Sequence, residues 1–185
     1  MPTYVSLLRG INVGGRRKVL MADLKVIYQK LGFTQVITYI QSGNVVFEAK
    51  KSLSTQVIEE VIKLAIQKKY DFDVPVLIRK VEEITTIYKT NPFLSNADKI
   101  ERLYVTFLSD TPKKENLEKL LGIDFGNDEF EIVGNHIFVN YVEKYSKSKL
   151  TNNLIEGKLK VRATTRNWKT VTKLAYWSKI VGKTL

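Results

Sequence analysis

Within the first eighty residues, short apolar β-prone runs and stretches of helical spacing follow one another in the order β-α-β-β-α-β, and this order most restricts what the chain can become. Thr3 to Leu8 is a short β-prone run. Leu20, Leu24, Ile27 and Leu31 then fall at helical spacing, and Gly32 supplies a stop. Val36 to Ile40 and Val45 to Phe47 flank the polar, glycine-bearing turn Gln41-Ser-Gly-Asn44, the pattern of a β-hairpin. Leu53, Val57, Val61, Leu64 and Ala65 mark a second helix, and Val74 to Ile78 a fourth strand. The order is that of a ferredoxin-like unit, with two helices on one face of an antiparallel sheet.

The remainder partly repeats it. Val81 to Lys89 reads as a connecting helix and Leu103 to Leu108 as a strand. A helix ending at Leu121-Gly122 follows, then a hairpin of Phe130 to Val133 and His136 to Val142 around Gly134-Asn135. The tail is read as helices at Lys149 to Leu159 and Thr165 to Val181. The expected fold is α+β: two ferredoxin-like, βαββα-type halves with antiparallel sheets and a C-terminal helical segment. The halves are placed at residues 1–90 and 91–185, with one continuous domain as the alternative.

At 185 residues and 44% hydrophobic content, the chain can bury a core unaided. Absence of cysteine excludes disulfides, thiol nucleophiles and thiolate metal sites, and fits a reducing cytoplasm. The N-terminal segment reads as a strand rather than a signal peptide, and no apolar run approaches the ~20 residues that span a bilayer. A cytoplasmic location without transmembrane association is expected. The single histidine, His136, rules out multi-histidine metal sites and reads as a strand residue beside a turn. No metal or cofactor class is indicated.

The net charge of +11 is concentrated in the tail, where Glu143 to Leu185 carry 11 basic and 2 acidic residues against 19 and 17 in the first 142. A basic surface of this kind can hold nucleic acid or another phosphate-bearing partner, or it can be a solvated, lysine-rich face.

If strand one and strand two run as a split βαβ requires, the Arg9 to Lys18 loop and the Gln41 to Asn44 turn lie side by side. The loop's glycines let backbone N–H groups approach an anion, so Arg9, Gly10, Asn12, Gly14, Gly15 and Arg16, with Gln41, Ser42, Gly43 and Asn44, form a candidate ligand site. A plain surface loop is the competing reading. Gly10 and Gly15 have Walker A spacing, but Arg16 and Arg17 replace its lysine and hydroxyl residue, and the dinucleotide glycine pattern is missing. Asn44 and Val46 stand where an RNA-recognition motif requires aromatics, so that motif is rejected.

A third segment, Ala163-Thr-Thr-Arg-Asn-Trp168, reads as a helix start, with Thr165, Arg166 and Asn167 as further candidates. Arg166 in a first turn would oppose the helix dipole unless a carboxylate or bound anion offset it. Trp168 is read as core rather than a stacking platform.

Leu8-Arg-Gly-Ile-Asn-Val-Gly-Gly15, Tyr39-Ile-Gln-Ser-Gly-Asn-Val-Val-Phe47 and the Ala163 to Trp168 segment together resemble the bacterial family of domain-of-unknown-function proteins numbered 1697. The resemblance implies a cytoplasmic α+β protein of ferredoxin-like character. It singles out Arg9, Gly10, Asn12, Gly14, Gly15, Gln41 to Asn44 and Thr165 to Asn167 without giving them roles.

The functional expectation is an anion-binding module for nucleic acid or a phosphorylated small molecule. The alternatives are an enzyme on a small phosphorylated or nucleotide-like substrate, for which no catalytic constellation is recognisable, and a protein-interaction or dimerisation module. The oligomeric state is left open.

Overall fold

Buried strands set the frame of the protein, whose computed structural model describes residues 1–95 and 99–181. The chain divides into two compact units: Met1–Ile87 together with residues from Lys173 onward, and Tyr88–Thr172.

The first unit runs β1 (Thr3–Leu8), α1 (Met21–Lys30), β2 (Thr34–Tyr39), β3 (Asn44–Glu48), α2 (Thr55–Tyr70), β4 (Val76–Lys80) and the start of α3 (Val81–Lys89). Its four strands form an antiparallel sheet in the order β2-β3-β1-β4. Every residue of β1 is buried, as in a strand covered on both faces. Tyr4 and Leu8 join the core against the helices, where Phe47 meets Tyr28 at 5.1 Å and Phe33 at 4.8 Å between ring centroids. Between them, the Ser6 and Tyr28 hydroxyls share a buried hydrogen bond of 2.6 Å.

The helical faces depart from the sequence reading. In α2 the buried stripe is Ile58, Ile62 and Ile66, whereas Val57 is 46% and Leu64 53% exposed. The isoleucines repeat at i, i+4, i+8 and put β-branched bulk on one line along the helix, and that line takes the sheet. Leu53, Val61 and Ala65 pack partly beside it. Likewise Leu20 precedes α1 and is 65% exposed, and the buried face there is Leu24, Ile27 and Tyr28.

The second unit runs β5 (Leu103–Leu108), α4 (Lys114–Leu121), β6 (Glu129–Val133), β7 (His136–Asn140), α5 (Asn152–Leu159) and β8 (Ala163–Asn167), followed by the start of α6 (Trp168–Val181). The sheet order is β6-β7-β5-β8, the same as in the first unit, and all pairs are antiparallel.

β8 corrects the reading of Thr165 as a helix start. Thr164 and Thr165 are β-branched and pair with Phe107 and Thr106 in β5. The helix begins three residues later, at Trp168, with the Asn167 side chain accepting from the Thr170 amide at 2.9 Å as an N-cap does. α5 also starts at Asn152 rather than Lys149, capped by Thr151. The second half is therefore a complete βαββαβ unit.

The repetition extends to single bonds. Leu8 N donates to Gly43 O at 2.8 Å, and Leu108 N donates to Asn135 O at 2.9 Å. Arg9 N reaches Pro75 O at 2.9 Å, and Ser109 N reaches Arg162 O at 2.8 Å. Val5 pairs with Arg79 and Val105 with Arg166, so each sheet carries a buried arginine at the same place. Burial lowers the pKa of both guanidinium groups, Arg166 to about 10.

Candidate functional site

The segment between β1 and α1 is held at both feet by the core, because Ile11 and Val19 are buried while residues 13–18 between them are exposed. Those residues form a small hairpin rather than an open loop. Val13 pairs with Arg16, and Arg16 N donates to Val13 O at 3.0 Å around Gly14 and Gly15. The two glycines have φ of 57° and 73°, the pair of positive values that a two-residue type I′ turn needs. A second rung, from Asn12 N to Arg17 O, measures 3.1 Å. The glycines that suggested a phosphate cradle are thus the bend of a β-ribbon.

Asn12 fastens this ribbon to the β2–β3 turn. Its Nδ2 donates to Val19 O at 2.9 Å and to Gln41 O at 2.8 Å, and its Oδ1 accepts from Val19 N at 2.9 Å. The two loops expected to lie together do so. Gly43 seals the join: its φ is 76°, and a Cβ there would stand 2.7 Å from both Ile11 Cδ1 and Leu8 Cβ. Asn44 is buried and gives both hydrogens of its amide to Tyr39 O and Ser42 Oγ, each at 3.0 Å. Asn12, Gly43 and Asn44 therefore build the platform, with their polar atoms directed into it.

What the platform presents is Arg16, Arg17 and Lys18, all exposed, with Arg9 half-buried at the ribbon's foot and Gln41 and Ser42 beside it. Arg17 has φ of 47°, the left-handed region. Its guanidinium lies over Gly10, where a Cβ would stand 3.7 Å from Nη1. Arg17 and Lys18 lay inside the loop singled out by sequence but were not among its named contacts. Their position in the register of a Gly-Gly hairpin was the signal for them.

Thr165, Arg166 and Asn167 belong to the second unit and are engaged within it. Thr165 donates to Asn152 Oδ1 at 2.7 Å, so the 2.7 Å bond it shares with Thr106 has Thr106 as donor. Arg166 Nη1 donates to Thr164 Oγ1 at 2.8 Å and to Thr165 O at 3.0 Å. Arg166 lies on a strand, so the helix-dipole argument for an anion there does not apply. His136 opens β7 and packs edge-on to Phe138, 4.9 Å between ring centroids.

Among the described residues no group of three or more His, Cys, Asp or Glu could hold a metal ion, and no helix is long and apolar enough to cross a membrane.

Residues 1–138 match the family described as "Protein of unknown function (DUF1697)". The chain belongs to this family. Both N-terminal motifs lie within the DUF1697 match, while the Ala163 to Trp168 segment lies beyond it. The chain is also similar to a solved structure, that of the conserved bacterial protein SP0830 from Streptococcus pneumoniae. Identity is 24% and the TM-score 0.73, with 96% of this chain and 98% of that one covered. At that identity the likeness speaks for the fold alone. No curated protein matches the chain.

Proposed function

We propose that this DUF1697 protein is a polyanion-binding module whose basic β-ribbon contacts the phosphate backbone of nucleic acid. The observation that carries the reading is three consecutive exposed cations, Arg16, Arg17 and Lys18, on a hairpin whose feet are buried and whose side is pinned by Asn12. A ribbon fixed in this way presents its charges without the ordering cost a free loop incurs on binding. Two-stranded ribbons also fit the width of a duplex groove.

The backbone of Arg17 supports the same reading. A non-glycine residue in the left-handed region costs about 1 kcal/mol or more, and such strain is found where a side chain is needed for its chemistry. A phosphorylated small molecule is less well served, because the amides of Asn12 and Asn44 that would hold it are committed internally and the ribbon stands out from the surface.

The test is binding of labelled duplex and single-stranded oligonucleotides over a salt series, comparing the wild type with a variant carrying Arg16→Ala, Arg17→Ala and Lys18→Ala. Loss of three phosphate contacts lowers the slope of log affinity against log salt by about 2.7 on duplex DNA. An unchanged slope and affinity would show that the ribbon is not the contact.

A further inference from the structure

The second unit holds a groove that the ribbon does not involve. A single-turn helix at Tyr145–Lys147, in the connection from β7 to α5, borders a groove of about 770 Å³ beside the first residues of β5. Four cations line it, Lys99, Arg102, Lys144 and Lys147, with two tyrosines, Tyr104 and Tyr145. Glu101 and Glu143 line it too, and Glu143 pairs with Lys147 at 3.0 Å, both side chains about two-thirds exposed. Among the described residues the lining is net positive, four cations against two carboxylates.

The tyrosines form a shelf. Tyr104 and Tyr145 stack with centroids 5.3 Å apart and planes 16° apart, and Tyr141 braces both edge-on at 5.1 and 5.4 Å. Tyr141 is fully buried and donates its hydroxyl to Leu150 O at 3.2 Å, so the brace is fixed. Tyr104 and Tyr145 are partly buried against the core, each more open than Tyr141.

The internal repeat supplies a comparison. Tyr4 in β1 stands in register where Tyr104 stands in β5, and a groove of about 990 Å³ lies beside it. There Tyr4 is only 3% exposed, and among the described lining residues, which include Met1, Pro2 and Leu53, it is the one aromatic. The second unit differs by an added tyrosine, an opened tyrosine face and more cations. Those three differences together are what stacking of a base and pairing of its phosphate require.

We infer that this groove binds nucleotide units, with a base stacked on the Tyr104–Tyr145 shelf and phosphates held by Lys99, Arg102, Lys144 and Lys147. Single-stranded nucleic acid is the occupant favoured. A second groove of about 280 Å³ shares Glu143, Lys144 and Lys147 with the first and adds Lys149 and Asp128, which places one more lysine within reach of a neighbouring phosphate beside a carboxylate. This inference does not depend on the ribbon, and either can fail alone.

The experiment is fluorescence polarisation of the full chain with a labelled oligo(U) of roughly twelve nucleotides, with calorimetry against uridine monophosphate. Tyr145→Ala weakens oligonucleotide binding between about 5-fold and 150-fold, whereas Tyr145→Phe, which keeps the ring, stays near wild type. Lys144→Ala with Lys147→Ala, both exposed and safe for folding, lowers the salt slope by about 1.4. Monophosphate binding as tight as that of the oligonucleotide, and equally dependent on Tyr145, supports the same site with a free nucleotide as its source. Equal affinity of wild type, Tyr145→Ala and the double lysine variant overturns the inference, as does equal loss in Tyr145→Phe and Tyr145→Ala. Loss confined to the Arg16, Arg17, Lys18 variant overturns it too, and leaves the ribbon standing.

Discussion

Asn12 illustrates how a residue that looks like a ligand contact can instead be a fastener. Its three side-chain hydrogen bonds join the ribbon's return strand to the β2–β3 turn. Asn12→Ala leaves Val19 N and two carbonyls without that partner, for a loss of about 1–3 kcal/mol in urea denaturation and faster amide exchange at Val19. Unchanged exchange would mean the ribbon is held by its buried feet alone. Arg17 gives the opposite experiment. Arg17→Gly relieves a left-handed backbone, offset by the greater freedom glycine has when unfolded, so stability is unchanged or rises by up to about 1 kcal/mol. Affinity for nucleic acid falls in the same variant. A loss of stability would show that the Arg17 side chain is there to hold the ribbon. The sequence exposed the polar, glycine-bearing character of both loops. It could not separate residues that build the platform from those that stand on it, because that depends on whether an amide such as that of Asn12 turns inward, which follows from tertiary contacts.

Elements made of apolar runs, or bounded by glycine turns, were legible, and those whose burial rests on polar side chains were not. The β6–β7 hairpin is announced by Gly134-Asn135 between apolar runs, and β5 is bounded by residues without β-propensity. β8 is Ala-Thr-Thr-Arg-Asn, with no large apolar residue, and it is a strand because Thr106 hydrogen-bonds Thr165 and because β5 would otherwise expose an edge. The immediate passage from β8 into α6 hid the boundary further, since a capping asparagine and a threonine run read equally well as a helix start. Asn167→Ala removes the Thr170 cap and costs about 1 kcal/mol, measured as a shift in thermal midpoint. The amides of β8 keep their exchange protection in that variant. If β8 amides lose protection along with the first turn of α6, strand and helix form as one element and the cap cannot be assigned to the helix alone.

At the scale of the molecule, two βαββαβ units bury their titrating groups deeply enough to give stability a predictable alkaline limb. Tyr28 is fully buried, and burial raises its pKa well above the ordinary value of about 10; Tyr141 is raised for the same reason first. Below pH ~10 both are protonated whether the chain is folded or not, and they give stability no slope. Above it the unfolded chain releases two protons that the folded one keeps, so the unfolded state binds fewer and stability falls as pH rises, by about 1.36 kcal/mol per unit for each tyrosine. Arg166 acts in the other direction. Burial lowers its pKa to about 10, so raising the pH past that value lets the folded state shed a buried charge, which favours folding. Arg79, lowered for the same reason, acts with it, and against these two arginines stand four tyrosines raised first by burial, Tyr28, Tyr141, Tyr70 and Tyr104, which leaves the net slope negative. Denaturant titrations between pH 8 and 11 would therefore show a flat region and then a decline. In Tyr28→Phe, which loses the bond to Ser6 at a cost of about 1 kcal/mol, that decline is shallower by about 1.36 kcal/mol per unit. An equally steep decline in that variant would place the alkaline transition on groups other than Tyr28.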